Sequence, residues 1–571
     1  MAANRGPASQ PSDTTVDLLV IGSGTGMAAA LAGHEAGLST LIVEKTQYVG
    51  GSTARSGGAF WVPGNPVLAK DAANDSLDAA RAYVRAVVGD AAPAERGEAF
   101  LDHGAEAIEM LERTTPMKFF WAKGYSDYHP ENPGGSSLGR TCECRPFDAS
   151  VLGAERKRLR PGLMASPLPM PITGADYKWL NLIARKPLKG FPRAIRRLAQ
   201  GIGGLAIKRE YMAGGQALAA GMFAGVVNAG IPVWTETSLV RLVTEGDRVT
   251  GAVLAYGGTE VTVTATRGVV LAAGGFDHDM EWRHKFQSPA LGEKASLGAE
   301  GNTGDAIKIA QEVGAGIGLM DQSWWFPAFS AGPGRQPVVM LAERSLPGSL
   351  IVDQDAERFA NEAKDYMSFG QGVLKREQEG KPIEKMWLVF DQRYRNSYIL
   401  GGGIFPRQPL PGGWYKAGIA HSATSPEKLA ESMGVSAEKL RATLDRFNGF
   451  AAVGNDPDFK RGQSAYDRYY GDPTQSPNPN LRSLDTTQLY AIEMVLSDLG
   501  TCGGVLADEN ARVLREDGSV IDGLYAIGNT AANAFGKSYP GAGATIGQGL
   551  VYGYIAAHDA ARRGAAKAVA R

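Results

Sequence analysis

Cysteine is nearly absent, with three residues in a chain of 571 (Cys142, Cys144 and Cys502). Three thiols cannot build a disulfide framework, and their scarcity points to a reducing compartment. Cys142 and Cys144 have one distant partner, which is poor zinc spacing, and the seven histidines show no HExxH or other paired-ligand pattern. No metal site is expected. No GxSxG elbow is present, so a hydrolase of that kind is set aside. No run reaches the roughly 18 apolar residues that suggest a membrane span. The start, MAANRGPASQPSDTT, has no apolar core, and residues 1–14 read as a frayed polar tail rather than a signal peptide. A net charge of −1 removes the overall attraction expected of a nucleic-acid-binding protein.

Glycine, by contrast, is in excess: 74 residues, about 13 % against an average of about 7 %. It follows no period, which excludes collagen and low-complexity sequence. At this length two or more domains with their own cores are expected. The stretch VDLLVIGSGTGMAAALAGHEAGLSTLIVEK reads as strand, glycine turn, helix, strand. Gly22 and Gly24 would turn the chain beside a pyrophosphate, and the helix from Met27 would point its N-terminus at the phosphates. Glu44, about 20 residues on, is placed to accept from a ribose hydroxyl. The third glycine of the dinucleotide fingerprint is replaced by Met27. Residues 240–276 alternate like a β-meander and end in Ala-Ala-Gly-Gly, and DGLYAIGNTAAN (522–533) is another strand delivered to a glycine turn. Three separated pieces converging on one cofactor suit an extended FAD better than NAD.

Four segments carry a more specific resemblance: GGSTARSGGAFWVPG (50–64), GYSDYHPENPGG (124–135), ERFANEAKDYMSFG (357–370) and the long run 496–547 ending in GKSYPGAGATIG. They resemble the fumarate reductase and succinate dehydrogenase flavoprotein superfamily, and within it the 3-ketosteroid Δ1-dehydrogenases. The resemblance implies an α/β fold in which a discontinuous Rossmann-like FAD-binding domain (15–290 and 489–571) carries an inserted α+β substrate domain (291–488). It implies FAD contacts at Gly22, Ser23, Gly24, Gly26, Met27, Glu44, Lys45, Gly51, Ser52, Thr53, Ser56, Gly57 and Gly58. Further contacts follow at Ala273, Gly274, Gly528, Asn529, Thr545 and Ile546. Succinate dehydrogenases attach FAD through a histidine in the first loop; residues 45–58 contain none, so FAD is expected to be non-covalent.

Fumarate reductases clamp a dicarboxylate with an arginine where this chain has Tyr539. A tyrosine cannot neutralise a carboxylate but can donate to a ketone. The resemblance therefore implies loss of a C2 proton and a C1 hydride from a 3-ketosteroid, the hydride going to flavin N5. Tyr539 and the Gly543 amide would hold the ketone oxygen, Tyr366 would take the proton, and Tyr128 would relay it. The alternatives are a Δ4-(5α)-dehydrogenase of the same substrates or a non-catalytic flavin electron carrier. The expected acceptor is a quinone or a carrier protein.

Residues 178–209 hold nine Lys or Arg and no acid, interleaved with Trp179, Leu180, Leu182, Ile183, Leu188, Phe191, Ile195, Leu198, Ile202 and Leu205. Pro187 and Pro192 are expected to divide this stretch into short helices. Basic and apolar residues in alternation, too short to span, suit a segment lying in a bilayer interface. The expected location is peripheral, on the cytoplasmic side, with sterol-derived 3-keto-4-enes that keep their side chain (cholest-4-en-3-one, for example) as substrates.

Overall fold

The computed structural model describes residues 11–71, 75–163, 168–332 and 334–569. Of the expected tail, residues 1–10 lie outside these, and Thr14 already opens the first strand. That strand, Thr14–Ile21, lies between parallel neighbours Thr259–Leu271 and Thr40–Val43. Val233–Trp234 extends the parallel set on one side and Val520–Ala526 on the other. Burial on both faces explains why Leu18 to Ile21 is an unbroken apolar run. The alternating stretch forms the expected meander: Thr237–Glu245, Arg248–Tyr256 and Thr259–Leu271 pair antiparallel in sequence.

The helices Gly26–Glu35 and Ala544–Val569 pack on each other. Small residues allow this close approach: a Cβ on Gly33 would sit 3.0 Å from Leu18 and Thr40 of the sheet, and one on Gly553 would sit 3.0 Å from the Ala29 nitrogen. A second, antiparallel sheet runs in the order Val338–Val339, Ser323–Phe329, Leu489–Thr501, Met386–Asp391, Ser349–Asp353, with Ala420–Ala423 also on Leu489–Thr501. The 13 residues Leu489–Thr501, read from sequence as the start of the last FAD segment, are thus a central strand of the inserted sheet. Their mixed burial fits either sheet, and only pairing decides.

The basic stretch also departs from expectation. Pro187–Ala206 is one 20-residue helix with Pro187 at its N-terminus and Pro192 inside it. The carbonyl that Pro192 leaves without a donor belongs to exposed Leu188, where water can serve it.

The motif ERFANEAKDYMSFG is pinned by buried charge. Arg358 donates to both Glu362 oxygens (2.7 and 2.8 Å) and to Asp456 (2.8 Å), Arg461 lies 3.2 Å from Glu362, and Arg344 donates to the Glu362 carbonyl at 2.5 Å. Three residues after Glu362, Asp365 caps the helix Tyr366–Gln378 by accepting from the Ser368 amide at 2.9 Å. This fixes where Tyr366 begins its helix. Glu362→Gln leaves two guanidiniums without their shared counter-charge, so stability should fall by about 3–5 kcal/mol, read as a lower urea midpoint with an unchanged slope.

Candidate active site

The glycine turns converge. Gly22 has φ of +109°, and a Cβ there would overlap the Ala272 carbonyl and sit 2.9 Å from Ala273. Gly24 faces the Thr53 hydroxyl, and Gly51 faces Gly24. Gly274 (φ +82°) abuts Asn302 and accepts from Thr530 at 2.9 Å. Gly528 (φ +57°) meets Thr25, and Asn529 accepts from Thr545 at 3.1 Å in the first turn of the last helix, beside Ile546. Ser52 is held by the Ala299 amide and Asn302 at 2.9 Å each. Ser56 bonds the Thr53 carbonyl and the Gly58 amide, while Gly58 lies on the Gly214 backbone. Gly57 alone is exposed, with nothing within 4 Å of an added Cβ.

Glu44 is buried at the end of its strand; its carboxylate accepts from Ser23 (2.5 Å) and from the Thr46 hydroxyl (2.8 Å). Such a hydroxyl-binding carboxylate suits a ribose. Two expected contacts are otherwise engaged. The Lys45 ammonium is taken by Asp305 (2.6 Å) and Thr303 (2.7 Å). Met27 is buried in the core, and Gly26 performs the close packing of the missing third glycine, 2.9 Å from Val20 and 3.0 Å from Ala272 for an added Cβ.

The tyrosines come from three regions of the chain and meet in one buried cluster. Tyr539, 2 % exposed, stacks on Tyr128 at 5.2 Å and meets Tyr366 edge-on at 5.3 Å; Tyr128 and Tyr366 are also 5.3 Å apart. Burial pushes all three phenols up, Tyr366 and Tyr128 well above the usual value. The Tyr366 hydroxyl and the Gly543 amide both bond the Tyr539 hydroxyl and pull it partly back. Tyr128 does the same for Tyr366. The Tyr539 hydroxyl, bonded by the Gly543 N–H, therefore stands beside the Tyr366 phenol. There is no metal-binding group of three or more His, Cys, Asp or Glu among the described residues.

Residues 17–546 match the family model of the FAD binding domain. A 3-oxosteroid 1-dehydrogenase of Mycolicibacterium smegmatis is 41 % identical over 96 % of this chain and 98 % of its own length. One from Mycobacterium tuberculosis is 42 % identical over 95 % and 97 %. The crystal structure of 3-ketosteroid delta1-dehydrogenase from Sterolibacterium denitrificans, in complex with 1,4-androstadiene-3,17-dione, superposes with a TM-score of 0.90 at 34 % identity, covering 96 % of this chain and all of that one. The chain belongs to the 3-ketosteroid Δ1-dehydrogenase family. It is an α/β, FAD-dependent oxidoreductase, as the resemblance implied, and the turns around Gly22, Gly274 and Gly528 are where this family member's residues would hold FAD.

The sequence left several supporting residues of this dehydrogenase unnoticed. Tyr83 donates to the Pro540 carbonyl (2.6 Å), which also accepts from the Tyr128 amide (3.0 Å). Asp127 accepts from Trp61 (2.8 Å), Arg140 and the Ser136 amide (3.0 Å), holding the loop that carries Tyr128. Trp324 meets Tyr539 edge-on at 4.8 Å and donates to Asn529 at 3.0 Å. Tyr125 lies 3.5 Å from Tyr128, hydroxyl to hydroxyl, and stacks on Tyr469. Tyr125 and Asp127 carried a sequence signal, by sharing the motif 124–135 with Tyr128.

The segment GKSYPGAGATIG also gains its reason. An added Cβ on Gly541 would overlap Trp61, and one on Gly543 (φ +89°) would overlap the Ala59 carbonyl. Gly543→Ala should shift the last helix away from strand Ala59–Trp61, costing several-fold in retained FAD and lowering the melting temperature. Flavin absorbance per protein and a thermal melt check this.

Proposed function

We propose that the Tyr539–Tyr366–Gly543 convergence removes the C1 and C2 hydrogens of 3-ketosteroids to form the Δ1 double bond. The observation that carries this reading is the buried Tyr539 hydroxyl in contact with the Gly543 amide, with the Tyr366 phenol 5.3 Å away by ring centre. A C–H beside a ketone becomes acidic as enolate charge grows on oxygen, and each donor to that oxygen contributes about 2.7–4 kcal/mol in enzymes where one has been removed. Burial keeps the Tyr539 proton in place across the neutral range, so it stays a donor. Tyr366 accepts the C2 proton, and Tyr128, whose hydroxyl bonds it, passes the proton on. Bound FAD, held without a covalent link, supplies the acceptor for the C1 hydride. Buried aromatic walls (Trp324, Phe326, Tyr466) exclude water and suit a flat hydrocarbon.

The second element of the proposal is peripheral membrane attachment through helix Pro187–Ala206. Its inward face is Gly190, Arg197, Gly201 and Gly204, with Arg197 bonded to Asp176 at 2.6 Å. Its outward face shows Leu188 (90 % exposed), Phe191, Ile195, Ile202 and Leu205, spaced as one helical stripe. A soluble helix would turn that stripe inward. Flanking bases without acids match an anionic bilayer surface, and no described helix is long and apolar enough to cross it. Sterol-derived 3-keto-4-enes with their side chain, and a quinone or carrier protein as acceptor, would meet the enzyme there, on the cytoplasmic side.

Two outcomes are expected. Tyr539→Phe should fold and keep FAD but slow anaerobic flavin reduction by cholest-4-en-3-one about 10²–10³-fold. Because burial holds the Tyr366 phenolate scarce, the wild-type rate at saturating steroid should climb with pH and show no plateau below about pH 10, a climb lost in Tyr366→Phe. A product with the new double bond at C4–C5 of a saturated ketosteroid would instead assign the Δ4 reaction. Separately, Phe191→Ser with Ile195→Ser removes up to about 1.5–3 kcal/mol each and should weaken co-sedimentation with vesicles at least about tenfold, leaving FAD content unchanged.

A further inference from the structure

Three cations of the insertion gather on one indole. The Lys178 ammonium lies 5.5 Å from the Trp179 ring centre, the Lys189 ammonium 5.8 Å and the Arg193 guanidinium 5.5 Å. Arg193 is oriented by donating to the Lys189 carbonyl at 2.9 Å. None of the three has an ion pair among the described residues, although Arg197 nearby is paired with Asp176. Lys178 is the most constrained: its ammonium sits 3.9 Å over the Tyr469 ring, and burial without a counter-charge pushes it down to about 8. Cations taken out of water are ordinarily paired. Lys189 and Arg193 lie in the first two turns of a 20-residue helix with no acid in its first turn, so its free amides add positive potential on the same side.

We propose that Lys178, Lys189 and Arg193 around Trp179 form a phosphate-binding subsite that takes the phosphate of an anionic lipid headgroup. Lys189 and Arg193 supply charge and hydrogen bonds from the helix, Lys178 from the protein side, and the indole occupies the interfacial depth that tryptophan favours. Phe191 and Ile195, on the same turns, would then enter the acyl layer beside the bound headgroup. This rests on the membrane-facing reading of Pro187–Ala206, and the arms below separate the two.

The FAD-loaded protein is sedimented with vesicles of phosphatidylcholine and of phosphatidylcholine containing phosphatidic acid. The wild type should prefer the second. Lys189→Gln with Arg193→Gln should lose on the order of thirtyfold of that preference, keep binding to plain phosphatidylcholine through the apolar stripe, and retain FAD. Arg196→Gln with Lys208→Gln removes equal charge from exposed positions outside the cluster and should lose markedly less. Equal losses from the two pairs would overturn the subsite, since charge would then act diffusely. Binding of inorganic phosphate by the wild type without any preference for phosphatidic acid vesicles would overturn the lipid assignment in favour of a soluble anion. No sedimentation of wild type with either vesicle overturns the membrane reading itself and, with it, this proposal.

Discussion

The close passage of residues 541–543 against strand Ala59–Trp61 is the constraint on which the site depends. Gly541 lies on the Trp61 indole and Gly543 on the Ala59 carbonyl, both at separations that no side chain could share. That contact sets the start of the last helix, and so the Thr545 bond to Asn529 and the direction of the Gly543 amide. It also leaves Tyr539 against Tyr128 and Trp324. The Pro540 carbonyl, claimed by Tyr83 and by the Tyr128 amide, fixes the same loop from the other side. Tyr539 and Tyr128 therefore share one anchor, which explains why their rings stack.

Burial then gives chemically similar groups different work. All three phenols lose their tendency to ionise, mainly because the charged form is poorly solvated there. In the proposed reaction this is an advantage for Tyr539, because a donor must keep its proton. For Tyr366 it is a cost, and the Tyr128 hydroxyl bonded to it acts in the opposite sense. A larger cost is avoided by placing the strongest charges elsewhere: Arg358, Glu362, Asp456 and Arg461 are mutually paired behind the motif, so they position Tyr366 without entering the site.

The insertion inverts the usual logic of a surface helix. Its small residues face the protein because Gly201 lies against the Pro169 carbonyl with no room for a side chain, and its large apolar residues are left outside. Stability alone gives no reason for that arrangement, since the exposed stripe gains nothing from water. In the proposed attachment a bilayer surface would supply the missing apolar contact and bring a lipid-soluble ketone to the enzyme.

By itself, the sequence determined the nucleotide half of the fold. The apolar run before Gly22, the carboxylate at Glu44 and the meander at 240–276 are local patterns, and local patterns survive without knowledge of partners. Motif residues Tyr128, Tyr366, Tyr539 and Gly543 were legible as a set through the family resemblance. What the sequence could not decide was pairing. Leu489–Thr501 joins the inserted sheet because its neighbours are Ser323–Phe329 and Met386–Asp391, more than 90 residues away. The Lys45 ammonium turns to Asp305 for the same reason: its partner lies distant in sequence. Tyr83 and Trp324 had no motif at all, because a hydrogen bond to a carbonyl or a neighbouring ring leaves no pattern in the chain. The direction of the basic helix was equally hidden, since its amphipathic period is the same whichever face is buried. Glycine at 190, 201 and 204 settles it only once the surface they approach is known.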